Sequence, residues 1–250
     1  MLKPITQDSA NRICCLIIGK YGLGKTSLIR TILGQAFIEG IWQQKADPDA
    51  LDKVVVISAE SGLLAVRDLV KDGKVEGYEI GSLEDFKEAY QLLASTKEMK
   101  ERYSWIFVDS LTEIASRCEE AMKAKYPNSS DTYKMWGDYS SIMTTLIKAF
   151  RDLPEYSVVF TCLETVEKDE NNKRYIAPMM AGKGLKEKLP SFFDEVFYLT
   201  IEQDSNGKDH RIFYTQPVKE YPAKDRSGKL NPIEMPNLLT IKNKILNGGN

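Results

Sequence analysis

The chain has 250 residues, 42% of them hydrophobic and 28% charged, and carries a net charge of −2. Those values describe one soluble domain able to bury a sizeable core, and they exclude a global basic field, so any nucleic-acid contact must come from local patches. A single histidine, His210, and four cysteines (Cys14, Cys15, Cys118 and Cys162) with no C-x-x-C pair leave multi-histidine metal sites, Ser-His-Asp catalysis and a disulfide framework without support.

The first element is Ile13 to Ile18, a continuous apolar run of strand length, as expected of a parallel strand covered on both faces. Gly19-Lys20-Tyr21-Gly22-Leu23-Gly24-Lys25-Thr26 follows, the G-x-x-x-x-G-K-T pattern of a phosphate-binding P-loop. Leu28, Ile29, Ile32 and Leu33 then fit one face of a helix. Strand, glycine loop and helix together aim a helix N-terminus at an anion. The glycines let backbone N–H groups converge on phosphate oxygens, Lys25 brings a cation to the β- and γ-phosphates, and the Thr26 hydroxyl can ligate Mg²⁺, with Ser27 beside it.

Lys53 to Ser58 reads as a second buried strand, and Ser82 with Asp85 as a capping box opening a helix. Trp105 to Val108 is a third strand ending at Asp109. A helix from about Leu111 to Ala124 is broken by Pro127 and the Asn-Ser-Ser-Asp stretch, and another runs from about Asp138 to Asp152. Ser157 to Thr161 is the next strand. The charged segment 165–190 includes a short strand at Arg174-Tyr175-Ile176. Val196 to Glu202 and Arg211 to Gln216 alternate around Asp204-Ser205-Asn206-Gly207, a hairpin signal. The C-terminus ends in a weak helix from Met235 to Leu246 and a tail expected to fray. The pattern predicts an α/β fold: a mostly parallel sheet flanked by helices, with a C-terminal antiparallel hairpin extension. One domain spans 1–250, with a core over about 10–200 and the hairpin and tail over about 196–250. No stretch approaches 18 apolar residues and no signal-peptide core precedes the first strand, so the expectation is a cytoplasmic protein with no membrane partner.

Asp109 stands at the carboxyl end of a core strand, where open α/β sheets bind ligands, and can hold a Mg²⁺-bound water beside Thr26. Glu60, in Ser58-Ala59-Glu60-Ser61, follows another strand; if that strand neighbours the P-loop strand, its carboxylate can polarise the attacking water. Lys224 and Arg226, two apart on an extended segment, face the same way and could reach a phosphate in their own subunit or a neighbour's. Arg67 is a guess at a stacking partner for the base. Two segments mix aromatic and basic residues as single-stranded nucleic acid requires. One is 125–139, with Lys134 and Trp136; the other is 165–190, with Lys173, Arg174, Lys183 and Lys186.

Taken in order, these features resemble the RecA-like ATPases, and more narrowly the small phage proteins that accompany single-strand annealing and recombination. The resemblance rests on the P-loop, Ser58-Ala59-Glu60-Ser61, Ile106-Phe107-Val108-Asp109-Ser110, Met179-Met180-Ala181-Gly182-Lys183, Asp194-Glu195-Val196 and Ala223-Lys224-Asp225-Arg226. It implies a RecA-like P-loop NTPase core that uses ATP and Mg²⁺, with Glu60 activating water and Asp109 as the Walker B acid. It also implies single-stranded DNA on the two mixed segments, a homo-oligomer or filament with nucleotide at subunit interfaces, and a single-strand-binding protein as a further partner. Lys224 and Arg226 would then be a finger pair reaching the adjacent subunit's nucleotide. Such proteins place a polar γ-phosphate sensor at the end of the fourth strand, where this chain has Leu163, so Thr161 or Glu164 must substitute. Two other readings are a nucleotide-dependent switch or adaptor with weak hydrolysis, and a P-loop kinase; the kinase needs an arginine-rich lid, and 165–190 has only Arg174.

Overall fold

The computed structural model describes residues 11–46, 53–60 and 63–248. Ser61 and the tail residues Gly249 and Asn250 lie outside them. In chain order the elements are β1 (Cys14–Ile18), a 3₁₀ turn (Thr26–Leu28) leading into α1 (Ile29–Ile32), β2 (Gln35–Ile38), β3 (Ile41–Gln44) and β4 (Val54–Ser58). A second 3₁₀ turn (Leu64–Val66) leads into α2 (Arg67–Lys71), followed by β5 (Val75–Glu79), α3 (Leu83–Ser95), α4 (Lys97–Arg102), β6 (Trp105–Asp109) and α5 (Leu111–Lys125). Then come α6 (Thr132–Arg151), β7 (Ser157–Cys162), β8 (Glu164–Lys168), β9 (Arg174–Pro178) and α7 (Lys183–Lys188). The chain closes with β10 (Glu195–Gln203), β11 (Asp209–Tyr214), β12 (Lys224–Asp225), β13 (Ile233–Glu234) and α8 (Leu238–Asn247).

The main sheet runs β13-β11-β10-β1-β7-β6-β4-β5, with β12 also on β10. The six strands from β10 to β5 are parallel, and β11, β12 and β13 add antiparallel pairing at one side. This is the predicted α/β architecture with its hairpin extension. Strands β1, β4, β6 and β7 are buried along their whole length, which is why each reads as an unbroken apolar run. Alternate residues feed two cores. Cys14, Leu16 and Ile18 face α3, α5 and α6, while Cys15 and Ile17 face α1, α2 and α8.

Three elements differ from expectation. The helix after the P-loop is only the 3₁₀ turn plus four α-helical residues, because Gly34, at a φ of 69°, turns the chain into the β2–β3 hairpin. Helix α6 starts at Thr132, six residues before Asp138: Met135, Tyr139 and Met143 extend its buried stripe back to the Asn-Ser-Ser-Asp break. Strand β4 is not beside β1, since β7 and β6 lie between them. The Ser82–Asp85 capping box forms, with the Ser82 side chain accepting from the Asp85 N–H and the Asp85 carboxylate accepting from Ser82 N–H.

Candidate nucleotide site

The P-loop leaves the carboxyl end of β1, and two of its glycines, Gly22 (φ 75°) and Gly24 (φ 86°), take the left-handed conformation that lets successive N–H groups turn inward. Gly19 is needed for another reason. A Cβ there would lie 2.6 Å from the carbonyl oxygen of Leu199 on β10, so only glycine lets the loop start against that strand. Lys20 and Tyr21 are exposed at the tip, while Leu23 is half-buried against the second core.

Lys25 is buried, and its ammonium donates to the carbonyls of Gly19 (2.9 Å) and Lys20 (2.8 Å). Burial lowers its pKa, opposed by the nearby charges of Asp109, Glu60 and Glu164. Thr26 donates to the Asp109 carboxylate at 2.6 Å, so the loop hydroxyl touches an acid carried by β6, two strands away. Asp109 is 3% exposed and also accepts from Thr161 on β7. Glu60 extends beyond β4 and accepts from the Ser110 hydroxyl at 2.9 Å. The chain after β4 therefore reaches the site although its strand does not neighbour β1; the Ala59 N–H to Asp109 carbonyl bond (2.8 Å) ties the two strand ends together.

These residues fit a nucleoside triphosphate with Mg²⁺. Among the described residues no group of three or more His, Cys, Asp or Glu side chains could hold a metal ion. A Thr26–Asp109 pair suits Mg²⁺, which takes one or two protein oxygens and completes its shell with phosphate and water. Thr161 is fully buried and donates to Asp109, and Leu163 presents its backbone N–H to the Thr112 hydroxyl. Glu164 accepts from the Tyr198 hydroxyl at 2.7 Å. Arg67 is exposed at the start of α2.

Lys224 donates to the Pro190 carbonyl and Arg226 pairs with Asp194. Asp225 is level with Glu195, which pairs with Cys15. Lys224 is level with Val196 and so with Leu16, about 7 Å of strand short of Ile18, and Arg226 follows on the far side of Asp225 from the loop. Between them Asp225 meets Glu195, a buried carboxyl whose Oε2 has no partner among the described residues. Burial, then the Asp225 and Asp194 charges, raises the pKa of Glu195 to about 8. Asp225 stays below the usual carboxylate range: burial works against this, but donors from Ser227, Leu230 and Gly228 and the proton of Glu195 prevail. A raised carboxyl stabilises the fold fully below its unfolded pKa near 4.5 and loses that contribution as pH rises through about 8. The melting temperature should therefore fall between pH 5 and 8.5, and Glu195→Gln, which cannot ionise, should flatten that slope in a thermal-melt series.

The two mixed basic segments lie side by side, with the Tyr139 ring 3.5 Å from where a Gly182 Cβ would stand. Segment 125–139 is mostly helix, not loop. Trp136 is half-buried, edge-on to Tyr139 at 5.6 Å, so it is not displayed for stacking; Tyr133, 94% exposed, is. Lys134 is exposed over the Tyr126 ring. In the second segment β8 and β9 form a hairpin with Lys173 and Arg174 exposed on it. A groove of about 500 Å³ between that hairpin and α7 is lined by Lys168, Tyr175, Lys183 and Lys186, with Asp169, Glu170 and Glu187 among its other residues. Lys186 is paired with Glu167.

Among the described residues no helix is long and apolar enough to cross a membrane. A family model described as an AAA domain matches residues 11–227. No curated protein matches the sequence.

Proposed function

We propose that this chain, which belongs to the AAA domain family of nucleotide-binding ATPases, is a RecA-like enzyme whose ATP hydrolysis is coupled to single-stranded DNA in annealing or recombination. The observation that carries the hydrolytic part is the 2.6 Å contact between Thr26 and Asp109. Thr26 and Asp109 would hold Mg²⁺, which when bound neutralises charge across the β- and γ-oxygens. The loop N–H groups and Lys25 stabilise the remaining charge, Lys25 exchanging its two loop carbonyls for phosphate oxygens. Glu60, oriented by Ser110, positions water for in-line attack on the γ-phosphate and takes its proton.

Support for DNA comes from the adjoining segments: exposed Tyr133 and Lys134 on one side, and Lys173, Arg174 and Lys183 on the other. Exposed aromatics suit stacked bases and the lysines suit phosphates. The test is Mg-ATP turnover with and without single-stranded DNA across a salt series. Turnover should rise with DNA at low salt, and the stimulation should fall steeply as salt increases. Turnover indifferent to DNA at every salt concentration would remove the DNA coupling; no turnover under any condition would remove hydrolysis and leave a nucleotide-binding switch.

A further inference from the structure

The β10–β11 hairpin rises beyond the strand that delivers the P-loop. Ile18 is level with Tyr198, and five further residues of β10 continue past it. Arg211 lies opposite Ile201 on the returning strand, three residues above that level. Its guanidinium meets the loop: a Cβ built on Gly24 would be 3.7 Å from Arg211 Cζ and 3.8 Å from its Nη1, with the Ser27 Cβ also 3.8 Å away. Gly24 and Ser27 flank Lys25 and Thr26, so Arg211 stands outside the loop while Lys25 is folded inside it.

Its position is built from several elements. The Arg211 guanidinium lies over the Phe37 ring, 5.3 Å from the centroid. Phe37 is tilted against Trp42 across the β2–β3 hairpin, 5.3 Å between centroids. Arg30 of α1 lies over Trp42 at 5.7 Å and forks onto Asp68 of α2. The two arginines end one aromatic ladder but differ in kind. Arg30 has its carboxylate; Arg211 has neither a carboxylate nor a hydrogen-bond acceptor among the described residues. A cation–π contact on a half-exposed ring orients a guanidinium without neutralising it. A guanidinium held at a phosphate cradle with its donors free has the geometry to take a phosphate oxygen, and Arg does so with a planar fork.

We propose that Arg211 is a nucleotide-binding residue that contacts the phosphate chain from the hairpin side of the loop, with Phe37 as its positioning residue. The assignment rests on the reading of the P-loop as a nucleoside triphosphate site. It also gives the β2–β3 hairpin, which shortens the helix after the loop, a purpose in that site.

The test is calorimetric affinity for ATP, ADP and inorganic tripolyphosphate in the full chain, comparing the parent with Arg211→Ala, Arg211→Lys, Phe37→Leu and Lys25→Ala, each checked by thermal melt. Arg211→Ala should weaken all three ligands by a common factor of about tenfold to a hundredfold, the size of a lost charge-assisted hydrogen bond. Arg211→Lys should recover part of that loss, and Phe37→Leu should show a smaller one. Unchanged affinities in Arg211→Ala, while Lys25→Ala loses binding, would overturn the assignment and spare the P-loop reading. A loss for ATP with none for tripolyphosphate would also overturn it, making Arg211 a base contact. A parent protein that binds none of the three ligands would overturn both.

Discussion

Asp109→Asn should lower ATP turnover on the order of 10²–10³-fold, the loss expected when one preorganised charge-stabilising group is removed, while the protein melts close to its parent. The two halves of that expectation come from the same contacts. Asp109 is buried and accepts from two hydroxyls, Thr26 and Thr161. An amide of the same shape keeps one acceptor oxygen and offers an NH₂ that donates to the oxygen of a rotated hydroxyl, so both pairings survive. What goes is the negative charge beside Thr26, and with it the hold on Mg²⁺. Nucleotide affinity measured in chelator should change little, whereas the gain in affinity on adding Mg²⁺ should vanish. Alanine is the poorer probe, because it strips Thr161, fully buried, of its main partner and confounds folding with chemistry. Turnover in Asp109→Asn within a few-fold of the parent would remove Asp109 from the site's chemistry.

The centre of this site was legible because its strands are buried on both faces. Residues such as Val54 to Ile57 and Trp105 to Val108 have no solvent side, so the apolar run and the acid that ends it stand out. Edge and hairpin strands lack that signal. Strand β5, Val75 to Glu79, has only Val75 buried, its other positions being half-buried or exposed, and β2 and β3 are four residues each with mixed polarity. Gly40, at a φ of 87° between two aromatic-bearing stretches, was the available clue to that second hairpin. Helix α6 also announced its true start, through the spacing of Met135, Tyr139 and Met143, but the aromatic and basic residues between them read as a binding loop. Thr161 and Arg211 were beyond any local pattern. One depends on β7 lying beside β6, and the other on how far a hairpin climbs past its neighbour.

Arg226→Ala should reduce turnover by at least about a hundredfold while sparing nucleotide affinity, since a finger residue acts on the transition state and is worth about 10³–10⁵ in the best-developed cases. Lys224→Ala should act in the same direction. In its own chain the pair is held beside the amino end of β10, Lys224 on the Pro190 carbonyl and Arg226 on Asp194. The Arg226–Asp194 pair is exposed on both sides, so it contributes little to the fold and its loss should leave the melting temperature close to the parent's. Lys224 is half-buried, and burial followed by the Arg226 charge lowers its pKa, so an anion brought beside it would restore the charged form. A finger pair that serves another copy's loop would require a head-to-tail contact, in which each copy offers its pair to the loop of the next. Such a contact makes a prediction that a single-chain site cannot. Asp109→Asn has a dead loop and an intact finger; Arg226→Ala has an intact loop and no finger. Mixed in equal amounts, the two inactive variants should recover turnover, because about a quarter of randomly formed heterologous contacts pair the good loop with the good finger. The measurement is steady-state ATPase activity of the mixture against each variant alone at the same total concentration. Full turnover in Arg226→Ala and Lys224→Ala alone would remove the finger. A mixture no more active than its components, with both variants individually impaired, would place these cations' effect within one chain.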